Sequence, residues 1–146
     1  MATTQQARTP AHLWIVGLLA LLWNAFGCFD YLMTVTANET YLGKMPADTV
    51  AYLSALPKWL TAMWAIGVWG GLAGALLLLA RSRYSVLAFG LSLVGALIGM
   101  GYQMFMTQRP ASMTAGIMAA MPFVIILICV LLLWYATGAQ KKGLLR

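Results

Sequence analysis

This sequence predicts an all-α fold, a four-helix bundle embedded in a membrane. Three observations carry the prediction: four long apolar runs, almost no charge inside them, and basic residues gathered in the breaks between them. Of the 146 residues, 62% are hydrophobic and only 8% are charged. A soluble domain carries about 25% charged residues. Too few polar side chains remain to coat a water-facing surface, so lipid is the solvent that this composition fits.

A helix needs about 20 predominantly apolar residues to cross the hydrocarbon core. Four segments qualify, roughly 13–34, 59–80, 84–106 and 113–137. The first follows a polar stretch, Met1 to Ala11, that contains Arg8. It is longer than a signal-peptide core and lacks a small-residue cleavage site, so it reads as a retained span. Arg81-Ser82-Arg83 makes a tight basic turn between the second and third spans. Arg109 and Pro110 separate the third from the fourth, and Gln140-Lys141-Lys142 closes the fourth. The chain therefore reads as a single membrane domain, residues 1–146, with one long loop at 35–58. Within that loop Pro46-Ala47-Asp48 has the form of a helix start, with proline early and an acid in the first turn. Val50, Leu53 and Leu56 would give this short helix an apolar face resting on the membrane, and Pro57 would end it.

The positive-inside rule orients the spans. With both termini in the cytoplasm, Arg8, Arg81, Arg83, Lys141, Lys142 and Arg146 fall inside, and Lys44, Lys58 and Arg109 fall outside. All three acids, Asp30, Glu39 and Asp48, lie toward the outer side. Trp14, Tyr84, Trp134 and Tyr135 then mark the inner interface, and Tyr31, Trp59 and Tyr102 the outer one, where aromatic rings meet headgroups.

Lipid tails remove the ordinary hydrophobic drive between helices, so small residues mark the contacts. The second span offers Gly67, Gly70, Gly71 and Gly74, and the third offers Ala88, Ser92, Gly95 and Gly99 along one face. The first contributes Gly17, Asn24 and Gly27. These faces build the bundle, and a glycine face left over would serve a homo-oligomer or a membrane-protein partner. Pro122 falls near the middle of the fourth span and is expected to kink it.

Asp30 is the sole acid inside a span. A charge there is costly unless it faces the bundle or a wet cavity. Three readings follow. In one, Asp30 pairs with Gln103, Lys58 or Arg109 and locks helix ends together. In another, Asp30, Gln103, Thr61 and Trp64 line an outward-facing polar binding pocket, with Arg109 and Lys58 just above and Asn24 as its floor. In the third, Asp30 is simply a residue of a helix interface.

Other chemistries are set aside. His12 is the single histidine and lies at the membrane edge, so one chain cannot supply two histidines to a haem. No cluster of Cys, His and carboxylates offers a metal site. No nucleophile–base set can be assembled at one depth, and the glycines lie in spans rather than in phosphate-binding loops. Cys28 and Cys129 fall in opposite halves of the membrane and read as small apolar fillers. The net charge of +6 comes without a basic stripe interleaved with aromatics, so nucleic acid is not an expected partner. Membrane lipids are; no cofactor and no enzymatic activity are expected.

The run Leu22-Trp23-Asn24-Ala25-Phe26-Gly27-Cys28-Phe29-Asp30-Tyr31-Leu32-Met33-Thr34 is joined by Leu56-Pro57-Lys58-Trp59, Gly67-Val68-Trp69-Gly70-Gly71 and the Arg81-Ser82-Arg83 turn. Together these resemble a family of small uncharacterised four-span proteins of proteobacteria, whose members often carry the label "sugar transporter". The resemblance covers most of the chain, through packing and topology motifs. It implies a bacterial inner membrane and a transport role, with Asn24 and Asp30 as the residues to test. Small multidrug transporters offer an analogy, having four spans and an acid in the first. Here the acid is Asp30 near the outer end, and the outer loop is much larger. The expected function is a transporter-like or solute-binding membrane protein; the alternative is an accessory or structural subunit of a larger membrane complex.

Overall fold

The chain alternates long apolar helices with short polar connections, and each helix ends where local backbone chemistry ends it. The structure, a computed structural model, describes residues 8–146, and the polar stretch before Arg8 lies outside the described residues. Seven helices follow in order: α1 (Ala11–Val35), α2 (Glu39–Leu42), α3 (Ala47–Ser54), α4 (Lys58–Leu79), α5 (Tyr84–Met106), α6 (Ala111–Thr114) and α7 (Gly116–Lys141). Of these, α1, α4, α5 and α7 are long and apolar enough to cross a membrane. At ~1.5 Å per residue each exceeds the ~30 Å hydrocarbon core. The fold is an all-α four-helix bundle, and its four spans make the chain a multi-pass membrane protein.

One closing motif stops three of these helices. The Ser82 N–H reaches back to the Leu77 carbonyl at 2.8 Å, the Leu144 N–H to Ala139 at 3.0 Å, and the Asn38 N–H to Met33 at 3.0 Å. Each places one residue in the left-handed region: Arg81 (φ 59°), Gly143 (φ 71°) and Ala37 (φ 52°). Such closures satisfy carbonyls that the helix end leaves open. At Arg81 and Ala37 a side chain sits where it costs about 1–2 kcal/mol, a cost that Gly143 avoids.

Two elements differ from their sequence expectation. The fourth span runs 116–141 rather than 113–137, because Ala115 is extended and Gly116 takes φ +59°, which splits α6 from α7. Pro122 therefore falls in the second turn of α7 rather than at mid-span, and the helix continues through it. α3 does start behind Pro46 with Asp48 in its first turn. It stops at Ser54, however, and Pro57 caps α4 instead. Its contact residue is the buried Thr49, which hydrogen bonds to Ser112 on α6, so α3 rests on protein.

The long helices stand in an arc. α4 packs between α1 and α5, and α5 packs between α4 and α7. The glycines lie at these contacts. A Cβ added at Gly95 would stand 2.8 Å from the Met63 carbonyl oxygen and 2.9 Å from the Gly67 nitrogen. At Gly71 it would collide with the Asn24 side chain. α1 and α7, the two flanks of the arc, meet only at one end of the bundle, called here the terminal end. There His12 hydrogen bonds to Tyr135, with the rings edge to face. Leu13 and Phe89 share a core with Leu78, Ala136 and Ala139. Residues 143–146 fold back under this core. The Arg146 N–H donates to the Arg81 carbonyl at 2.7 Å, the Arg83 N–H to the Arg146 carbonyl at 2.8 Å, and Arg81 Nε to the Leu144 carbonyl at 3.0 Å. Leu144 and Leu145 are buried by the fold-back.

Candidate functional site

Polar side chains in a mostly apolar chain must find partners, and those partners define what each residue is free to do. At the opposite, loop end of the bundle, Asn38 caps α2 by accepting from the Tyr41 N–H at 2.9 Å. The cap turns α2 back toward α1, and the Tyr41 hydroxyl donates to Asp30 Oδ1 at 2.5 Å. Desolvation, followed by the hydrogen bond and negative charge of Asp30, pushes the Tyr41 hydroxyl up to about 12. It therefore stays a donor well beyond neutral pH. The Tyr41 ring also meets Phe29 edge to face, with centroids 5.6 Å apart.

A second network ties α3 to α5 and α6. The Ser112 hydroxyl donates to Asp48 Oδ1 at 2.7 Å, and the Thr49 N–H donates to the same oxygen at 2.8 Å. These bonds, that of Ser112 foremost, hold the Asp48 carboxyl below its usual range. Tyr52 bridges to the Thr107 hydroxyl at 2.7 Å and donates to Gln103 Oε1 at 3.3 Å.

A third group lies at mid-depth. Asn24 is buried at 8% exposure and returns its Nδ2 to the Ala20 carbonyl of its own helix at 2.8 Å. Its other face lies over Gly71. Ser92 donates to the Gly67 carbonyl at 2.6 Å and lies beside the Cys129 thiol of α7. Cys28 contacts the Val68 carbonyl at 3.4 Å, and both cysteines are free thiols.

The sequence-derived site residues thus go to different partners. Asp30 is held by Tyr41, in place of Gln103, Lys58 or Arg109. Gln103 belongs to the Tyr52 network. Trp64 packs edge to face on Tyr31, with centroids 5.2 Å apart. Thr61 sits half-buried in the first turn of α4, and Arg109 sits half-buried in the connection from α5 to α6. Asn24 packs into the α1–α4 contact. Tyr41, Tyr52 and Ser112 did not emerge from the sequence, although Asn38 before Glu39 is a cap signal that would have placed Tyr41 on a turn of helix. Among the described residues, no group of three or more His, Cys, Asp or Glu side chains could hold a metal ion.

Two concavities accompany these groups. One is a cleft of about 360 Å³ between α1 and α7, lined by Val16, Leu19, Ala20 and Trp23 on one side and Ile128 and Leu132 on the other. The second is a depression of about 460 Å³ between α2 and α3, bordered by Glu39, Leu42 and Val50. No protein-family model, curated protein or solved structure matches this chain.

α7 combines two properties. It is the most apolar of the four spans. Its buried residues are Ala136 and Ala139, both near the terminal end. Phe123, Leu127, Leu131 and Trp134 form a stripe at helical spacing that is exposed throughout, Trp134 at 72%.

Proposed function

We propose that this protein is an accessory subunit that packs against another membrane protein through the outer stripe of α7. The carrying observation is the contrast along that helix: the most apolar span has the least burial within the chain. The polar residues that would serve a solute pathway are engaged inside the chain, Asp30 with Tyr41, Gln103 with Tyr52 and Asn24 with the α1–α4 contact. The packed glycines Gly71 and Gly95 are taken up by Asn24 and by α4. A partner would therefore meet α7 rather than a glycine face.

A photoreactive residue at Leu127 or Leu131, activated in intact membranes, should give one discrete protein adduct. The same residue at Leu91 on α5 should give mainly lipid adducts. Lipid adducts alone from all three positions would refute the proposal.

A transport reading rests on a specific observation of its own. Asp30 remains a half-buried acid near the end of a span, joined to α2 through Tyr41. In that reading the pair would act as a gate near the membrane surface, in the inner membrane of a bacterium with both termini in the cytoplasm. Asp30→Asn would then abolish uptake in whole cells while leaving the protein folded. Unchanged uptake by this variant would remove the reading.

A further inference from the structure

The cleft between α1 and α7 has a polar rim at its terminal end and an apolar wall above it. His12 precedes Val16 by four residues, and Tyr135 follows Leu132 by three, so the His12–Tyr135 hydrogen bond closes the bottom of the same two helix stripes that line the cleft. From Val16 to Trp23 the wall extends about 10 Å along α1 at ~1.5 Å per residue. That length suits a hydrocarbon chain lying along the helices.

Charge supplies the second half of the argument. The terminal end carries Arg8, Arg81, Arg83, Lys141, Lys142 and Arg146. The three acids of the whole chain, Asp30, Glu39 and Asp48, belong to the opposite end. Arg8 lies one turn before His12, and Lys142 lies two turns beyond Tyr135; both are exposed. An apolar cleft that opens sideways into lipid and ends beneath a one-sign basic surface is complementary to one kind of molecule.

We propose that this cleft binds a single anionic phospholipid. One acyl chain lies between α1 and α7, and the phosphate sits beyond the His12–Tyr135 rim, drawn by Arg8 and Lys142. The site is separate from the outer stripe of α7, which faces about 100° away from Ile128 and Leu132 at 3.6 residues per turn. The inference therefore stands or falls independently of a protein partner.

The test uses the full chain in mild detergent, titrated with phosphatidylglycerol or with phosphatidylcholine of the same acyl composition and read by native mass spectrometry. The wild-type protein should retain one phosphatidylglycerol and hold it roughly tenfold better than phosphatidylcholine, in keeping with the attraction of a few basic residues to an anionic lipid. Arg8→Gln with Lys142→Gln should erase the headgroup preference, and millimolar inorganic phosphate should not displace the lipid. Ile128→Trp should fill the cleft and abolish the one-to-one adduct with both lipids. If Ile128→Trp does not fold, quenching of wild-type tryptophan fluorescence by brominated phosphatidylglycerol, weakened by Trp23→Phe, reports the same chain position. Equal retention of the two lipids would overturn the proposal. So would an adduct untouched by the filled cleft, or quenching insensitive to Trp23.

Discussion

The α4–α5 contact and the α1–α7 contact join helices of similar length and composition, yet they are built in opposite ways. Between α4 and α5 the backbones approach so closely that a methyl group at Gly95 has no room, and Ser92 crosses the gap to bond the Gly67 carbonyl. Between α1 and α7 no glycine mediates approach. The helices touch at His12 and Tyr135 and leave a cleft beyond. In lipid there is no hydrophobic penalty for leaving apolar side chains apart, so helices close only where small residues or hydrogen bonds reward closure. The comparison teaches that hydropathy decides which segments enter the membrane, and that small and polar residues decide which of them meet.

The largest effect expected from breaking this comparison is at Gly95. Gly95→Ala sets a methyl group against backbone atoms of α4 that cannot rotate away. A loss of about 3 kcal/mol is expected, at the upper end of overpacking costs, measurable by detergent unfolding of the purified protein. Gly71→Ala should cost about 2 kcal/mol, because the obstacle there is the Asn24 side chain. Asn24→Ala should restore most of that loss when combined with it. A double-mutant cycle reads this coupling directly, and strict additivity of the two changes would contradict the packing described.

A smaller effect is expected at the loop end. Desolvation and the Asp30 carboxylate push the Tyr41 hydroxyl from its usual value near 10 up to about 12, so its bond to Asp30 contributes fully below pH 10. That contribution should fade as pH rises from 10 toward 12. For a partly exposed pair it amounts to about 1 kcal/mol or less. Tyr41→Phe should remove this part of the alkaline pH dependence in thermal unfolding curves. Asp48 shifts the other way. Its lowered carboxyl favours the fold above its ordinary value of 3.8, and the benefit is lost as pH falls through its folded value. Ser112→Ala should weaken that acid dependence. The smallest effect belongs to α7: Leu131→Ala should change stability in detergent by no more than about 0.5 kcal/mol, since Leu131 faces outward.

The sequence made the helices legible more than their partners. The extent of the third long helix, α5, was legible in outline, because Arg81-Ser82-Arg83 and Arg109-Pro110 punctuate it. The start of the fourth was not, because the apolar run is continuous across the left-handed Gly116 that actually begins α7. The glycines of α4 and α5 were readable as contact residues because close approach leaves a compositional trace. The Asp30 partner was not, because one tyrosine eleven residues away was brought back by a four-residue helix, and no periodic pattern marks so short an element. The fold-back of residues 143–146 was missed for a related reason. Gly143 after two lysines signals a helix end, but nothing in Leu144-Leu145 says which surface will receive them.

That fold-back bears on how the bundle assembles. Every extensive contact joins spans that follow one another along the chain: α1 with α4, α4 with α5, and α5 with α7. Each pair can therefore dock soon after its second helix enters the bilayer, without waiting for distant sequence, and such local connectivity favours fast, stepwise folding. The long-range closure is left to the terminal end, where the backbone of Arg81 and Arg83 clasps Arg146 and where Leu13, Leu144 and Leu145 are buried together. Those few residues act as a latch, converting a row of hairpins that could each form alone into a structure whose first and last spans depend on one another.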